Sequence, residues 1–236
     1  MKKLAVVTGG SQGIGKALLL KLAHEGFSLA TCARNATRLD AVHQEIKERY
    51  PDVVFLQQQA DVSQPTEVQR FAEAIAELGI PVDLLVNNAG VFVPGQIHTE
   101  AEGVFEQTMH TNVFGAYHLT RALLGNMIAQ RRGHIFNVCS TASITAYANG
   151  GSYCVSKFAL LGLSKVLREE MKPYNVRVTA VLPGATLTAS WEGTELPADR
   201  FMPADDVAEA ILAAYYLSER TVVEEIVLRP QLGDVT

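Results

Sequence analysis

Leu4-Ala5-Val6-Val7-Thr8-Gly9-Gly10-Ser11-Gln12-Gly13-Ile14-Gly15 is the stretch on which the fold turns. Leu4–Thr8 is a short apolar run of strand length, and Ile14 opens an amphipathic pattern that continues to about Glu25. No linker separates the two. The turn between them leaves the first N–H groups of a helix without partners, which makes a natural seat for an anion. Within it, Gly9 permits the tight turn, Gly13 lets the backbone approach a pyrophosphate, and Gly15 lets helix and strand pack closely. Thr8, Ser11 and Ile14 complete the loop. A glycine-rich turn alone is a weak signal, but its position at the first strand–helix junction strengthens it. Three residues separate Gly9 from Gly13, a wider spacing than G-x-G-x-x-G.

The same alternation runs outward along the chain. Strands are expected at Phe27–Cys32, Val53–Gln57, Val82–Val86, His134–Cys139, Val176–Leu182 and Glu225–Leu228. Helices are expected at Ala36–Arg49, Glu67–Leu78, Val104–Gln130, Ser152–Lys172 and Asp205–Leu217. Strands that are apolar on both faces and separated by helices imply a parallel sheet covered on both sides. Right-handed crossovers then give an α/β, doubly wound Rossmann-type fold of about seven strands. Neither a linker nor an internal repeat interrupts the pattern, so residues 1–236 read as one domain with a short substrate-loop segment near 186–203.

Composition narrows the function. Apolar residues make up 48% of the 236-residue chain, enough for a substantial core, and the net charge is −5. That balance argues against the broad electropositive surface of a nucleic-acid binder. No apolar run is long enough for a signal-peptide core or a membrane span, so a cytoplasmic protein is expected. Cys32, Cys139 and Cys154 lie in or beside apolar runs without metal-like spacing, and they read as reduced, buried thiols rather than a metal site.

The second strand ends Thr31-Cys32-Ala33-Arg34-Asn35. A domain selective for NAD(H) would place a carboxylate there for the ribose 2′-hydroxyl. None is present, and the planar fork of Arg34 suits a 2′-phosphate. NADP(H) is therefore favoured over NAD(H).

Tyr153 and Lys157 stand four apart, one turn along a helix. A free tyrosine is a poor base at neutral pH, and a nearby ammonium would lower its pKa and make it a usable acid/base. Chance supplies such a pair often enough that it decides nothing alone. Ser140, thirteen residues before Tyr153, lies at a strand end, where ligands bind in open α/β sheets, and its hydroxyl could hold a carbonyl oxygen.

Taken together, Thr8–Gly15, Asp61-Val62, Asn87-Asn88-Ala89-Gly90, Asn112, Ser140, Tyr153, Lys157 and Pro183-Gly184 resemble the short-chain dehydrogenase/reductase family. The likeness is to its single-domain branch and spans nearly the whole chain. The resemblance implies that Tyr153 exchanges a proton with the substrate oxygen, Ser140 orients the carbonyl, and Lys157 holds the nicotinamide ribose. It also implies that Asn112 completes a proton-relaying tetrad. Asn88, Ala89 and Gly90 would line the adenosine side of the pocket, Asp61 and Val62 would meet adenine, and Pro183, Gly184, Thr186 and Thr188 would border the nicotinamide. The substrate would be a small or medium carbonyl or secondary alcohol, such as a 3-oxoacyl thioester, a 3-hydroxy acid or a ketone. A non-catalytic NADP(H)-binding sensor is the alternative. Relatives pair the helices that carry Phe114, Tyr117 and Leu123 and Phe158, Leu161 and Leu163, so a homodimer or homotetramer is expected.

Three features depart from the family's common pattern. Thr186 replaces a branched aliphatic residue, the Thr188–Met202 segment around Trp191 is short, and an aspartate–glycine–glycine signature near the last strand is missing.

Overall fold

A computed structural model describes residues 2–191 and 193–234. Seven strands form one parallel sheet in the order β3-β2-β1-β4-β5-β6-β7. They are β1 Leu4–Thr8, β2 Ser28–Ala33, β3 Phe55–Gln59, β4 Val82–Asn87, β5 Gly133–Val138, β6 Val176–Pro183 and β7 Glu225–Leu228. The helices are α1 Gly13–His24, α2 Ala36–Arg49, α3 Pro65–Glu77, α4 Val104–Met109, α5 Gly115–Gln130, α6 Gly151–Met171 and α7 Ala204–Tyr215.

Alternating side chains of the strands feed two separate cores, as the two-residue period of a strand requires. Ala5, Val7, Leu84 and Val86 pack with Leu18 and Leu22 of α1, Ile46 of α2 and Ile211 of α7. Leu4, Val6 and Leu85 pack on the opposite face with Phe71 of α3, Leu119 and Met127 of α5 and Leu167 of α6. The central strands β1, β4 and β5 are thus buried on both sides, whereas the edge strands β3 and β7 are only partly buried. The chain reverses its winding direction at β1, flanked by β2 and β4, and the crevice at the carboxyl ends of β1 and β4 is the expected ligand position.

Two expected elements change. The third strand begins at Phe55 rather than Val53, because Val53 N–H closes a turn onto the Tyr50 carbonyl at 3.1 Å. The expected helix from Val104 to Gln130 is interrupted by a π-helical segment, His110–Phe114, between α4 and α5. Such a widened turn adds a residue without ending the helix, and it re-aims a side chain. Here the segment contains Asn112.

Candidate active site

The glycine loop meets the end of β4 through side chains. The Thr8 hydroxyl accepts from the N–H groups of Asn88 and Ala89, each at 3.0 Å. Asn88 Nδ2 donates back to the Thr8 carbonyl at 2.8 Å. These two expected cofactor residues therefore first hold the walls of the groove together. Gly13 has φ +54, a conformation glycine adopts at little cost, and a β-carbon there would reach the Thr188 side chain at 3.2 Å. At Gly15 a β-carbon would run into the Gly9 carbonyl, so helix and strand pack as closely as the spacing predicts. Ser11 and Ile14 are half-buried on the same loop.

Arg34 stands exposed just beyond β2, and its carbonyl accepts from Gln59 Nε2 at 3.0 Å. Arg38, one turn into α2, was not among the expected site residues. Its guanidinium donates to Gln12 of the glycine loop, and its N–H is capped by Asn35 Oδ1 at 2.9 Å. Two arginines thus flank the carboxyl end of β2. The signal for Arg38 was a second basic residue, in the first turn of the helix that follows β2. Asp61 is half-buried and caps Ser63 N–H at 2.9 Å, while Val62 packs against Gly115. Both lie beside the groove.

Asn112, Ser140, Tyr153 and Lys157 converge near the carboxyl ends of β4 and β5. Asn112 Oδ1 accepts from Val91 N–H at 2.8 Å, and Nδ2 donates to the Val91 carbonyl at 3.0 Å and to Ser156 Oγ at 2.9 Å. Ser156 donates to the Tyr153 carbonyl at 2.7 Å. The π segment, the loop after β4 and α6 are thereby fastened together, with Ser156 a link that the tyrosine–lysine spacing did not single out. The Lys157 ammonium donates to the Val138 carbonyl at 2.9 Å and sits 5.7 Å from the centre of the Tyr153 ring. A β-carbon on Gly90 would lie 3.3 Å from Asn112 Oδ1 and 3.6 Å from Lys157 Nζ, so Gly90 leaves space directly in front of both.

Burial pushes the Tyr153 phenol above its ordinary pKa, and the neighbouring Ser140 hydroxyl opposes that shift. Lys157, whose ammonium donates to the Val138 carbonyl, is not among the causes of that shift. Burial also lowers Lys157 to about 8.

The rim beyond Tyr153 is aromatic. Phe92 meets its ring edge-on with centroids 4.8 Å apart, and burial next to Tyr153 raises the Tyr147 phenol. On the other side Gly184 N–H is held by the Leu228 carbonyl at 2.8 Å, just after Pro183 ends β6. Thr186 is buried, its hydroxyl donates to the Gly184 carbonyl at 3.1 Å, and it forms a bridge with Met202. Trp191 packs against Phe201 with centroids 4.8 Å apart. The short segment is thus tied at its base and carries its own small apolar cluster. Where a branched aliphatic residue was expected, Thr186 satisfies its hydroxyl locally.

Of the helix residues expected to extend beyond one subunit's needs, Phe114, Tyr117 and Phe158 are exposed, whereas Leu123 and Leu161 are buried. Leu123 faces the α3–α5 core and Leu161 packs with Leu160 and Leu182, so those two serve the interior. The three cysteines are free and buried. No cluster of metal-ligating side chains occurs among the described residues, and no described helix is long and apolar enough to cross a membrane.

Known proteins match the chain in sequence and in fold. A sepiapterin reductase of Chlorobaculum tepidum is 37% identical over 246 aligned positions, covering 100% of this chain and 99% of that protein. An alcohol dehydrogenase of the archaeon Thermococcus sibiricus, solved with 5-hydroxy-NADP, superposes with a TM-score of 0.92 at 28% identity and covers 100% of both chains. L-Sorbose reductase of Gluconobacter frateurii, solved with NADPH and L-sorbose, superposes with a TM-score of 0.89 at 27% identity, covering 97% of this chain and 95% of that one. The short chain dehydrogenase family matches residues 3–197, and this chain is a member of that oxidoreductase family.

Proposed function

We propose that this protein is an NADP(H)-dependent carbonyl reductase in which Tyr153 donates the substrate proton. The observation that carries the reading is the convergence of Ser140, Tyr153 and Lys157, with the Lys157 ammonium 5.7 Å from the centre of the Tyr153 ring and the Ser140 hydroxyl beside the phenol. The glycine loop fits a dinucleotide, since a side chain at Gly13 would fill the space beneath Thr188 and one at Gly90 would fill the space before Lys157. Arg34 and Arg38 suit the 2′-phosphate of NADP(H), and Asp61 with Val62 border the adenine. When bound, the reduced nicotinamide supplies the hydride.

The protein's own residues supply placement and the proton. Ser140 holds the carbonyl oxygen beside the phenol, Tyr153 gives its proton to that oxygen, and Lys157 holds the ribose and compensates the phenolate left behind. Asn112 keeps the loop after β4 against α6. A phenol raised above its ordinary pKa is protonated near neutral pH, the form that can give a proton to a carbonyl oxygen. The full-length likeness to a sepiapterin reductase and the aromatic rim of Phe92 and Tyr147 favour a ketone attached to a flat, conjugated body. Exposed Phe114, Tyr117 and Phe158 on α5, its preceding π segment and α6 support self-association as a homodimer or homotetramer. The unpaired buried cysteines fit a reducing compartment such as the cytoplasm.

The test is NADPH oxidation with sepiapterin, 2,3-butanedione, 3-oxo acids and 3-oxoacyl thioesters. Tyr153→Phe should keep NADPH binding and lose at least ~10²-fold in turnover, the scale of general acid catalysis. Near-normal turnover in that variant rules the mechanism out. Tight NADPH binding without reduction of any carbonyl would favour a nucleotide sensor.

A further inference from the structure

The helix that carries Tyr153 and Lys157 does not cap itself. Gly150 stands at its N-cap with no side chain to offer, and its first turn contains no acidic residue. A helix start normally takes a side-chain acceptor for its free N–H groups and gains from a nearby negative charge. Here both come from elsewhere in the chain. Glu100 Oε1 accepts from Ser152 N–H at 2.8 Å, and Glu100 Oε2 accepts from the Ser152 hydroxyl. Ser152 is buried and immediately precedes Tyr153.

Several contacts make this a built junction. The loop presenting Glu100 turns on Gln96, whose carbonyl accepts from Thr99 N–H at 2.8 Å and from Glu100 N–H at 2.9 Å. Gly95 N–H donates to the Asn149 carbonyl at 2.9 Å, Gly95 bridges Gly150, and Gln96 Nε2 donates to Asn149 Oδ1 at 3.1 Å. Gly151 has φ +32, and a β-carbon there would collide with the Glu100 carboxylate. The same loop carries Phe92, which sets the edge of the Tyr153 ring. One carboxylate therefore joins the loop that walls the phenol to the helix that bears it.

We propose that Glu100 is a positioning residue of the active site, acting as the borrowed N-cap of α6 that holds Tyr153 in register with Ser140 and Phe92. The inference rests on the reading of Tyr153 as proton donor. Glu100 touches neither substrate nor cofactor. It acts through Ser152 and the first turn of α6, so its loss should appear in turnover and in the phenol's titration, with nucleotide affinity unchanged.

The experiment compares Glu100→Ala, Glu100→Gln, Ser152→Ala and Tyr153→Phe in the full chain, using NADPH fluorescence to count binding sites and 2,3-butanedione and sepiapterin as probes. Glu100→Ala should lose on the order of 10-fold in kcat per NADPH-binding site, as small misplacements of reacting groups do, with KM for NADPH unchanged. Its pH–kcat profile should also shift, since a phenol moved away from Ser140 loses the hydroxyl that opposes its raised pKa. Glu100→Gln and Ser152→Ala, which keep part of the junction, should show smaller losses in the same direction and decide the matter if Glu100→Ala fails to fold. Unchanged kcat per binding site and an unchanged pH profile in the folded Glu100 variants would overturn the proposal while an inactive Tyr153→Phe left the mechanism standing. An active Tyr153→Phe, or a wild-type protein inert toward both probes, would overturn the reading beneath it as well.

Discussion

Lys157 reaches across from α6 to the end of β5, where its ammonium donates to the Val138 carbonyl at 2.9 Å, two residues before Ser140. This bond ties helix α6 to the end of β5 beside Ser140. It also leaves the ammonium buried without a carboxylate, which is why its pKa falls to about 8. Above that pH the cation is lost. The profile of kcat/KM, which reports ionisations of the free enzyme, should therefore hold steady below about 8 for carbonyl reduction and decline above it. Lys157→Met, similar in length but neutral, should lose activity at every pH and show no such limb. A limb retained in Lys157→Met would assign it to another group.

In the proposed reading, Arg34 and Arg38 share the recognition of a 2′-phosphate. Each charge-assisted hydrogen bond contributes about 1.5–3 kcal/mol, so removing either arginine should weaken NADPH binding by roughly 10-fold or more and leave NADH binding nearly unchanged. Arg34→Asp should go further and shift preference toward NADH, because a carboxylate can accept from a free ribose hydroxyl and repels a phosphate. Equal effects on NADPH and NADH affinity, read by fluorescence titration, would show that neither arginine discriminates.

His134 offers a stability prediction remote from the site. It is fully buried on β5, and its Nε2 lies 2.7 Å from the Thr179 hydroxyl. That hydroxyl already donates to the Val223 carbonyl at 2.6 Å, so it must accept from the ring, which places the imidazole proton on Nε2. Nδ1 is left as a buried acceptor without a partner. Burial lowers the ring's pKa from 6.5 to about 2, so the folded protein resists a proton that the unfolded chain accepts. The unfolded state binds more protons below pH 6.5, and stability must fall as pH falls through that point. One unit below, the cost is about 1.4 kcal/mol for this group alone. Urea midpoints at pH 7.5 and 5.5 should differ less in His134→Leu than in the wild type, and an equal difference would remove His134 from the account.

Much of the fold was legible because its signals are local. Strand and helix periods, the glycine loop and the helix stops depend on neighbouring residues, and α2 runs from Ala36 to Arg49 as its pattern predicts. Tyr153 and Lys157 were readable for the same reason, since four residues make one helical turn. The π segment was not readable. Its widened turn is bound up with Asn112 reaching Val91 and Ser156, contacts made across 21 and 44 residues of chain. Arg38 was missed because its value lies in reaching Gln12, 26 residues away.

The sequence by itself therefore determined the α/β class and the doubly wound order of elements, and it singled out the candidate residues of the site. Those follow from hydrophobic periodicity and turn chemistry, which act within a few residues. Only the tertiary structure decided how the site is charged and held. Desolvation raises the Tyr153 phenol above its ordinary pKa, Lys157 turns to the Val138 carbonyl, and Glu100 caps a helix that begins 51 residues further on. Desolvation and long-range hydrogen bonds depend on what the folded chain brings alongside, and no local pattern encodes them.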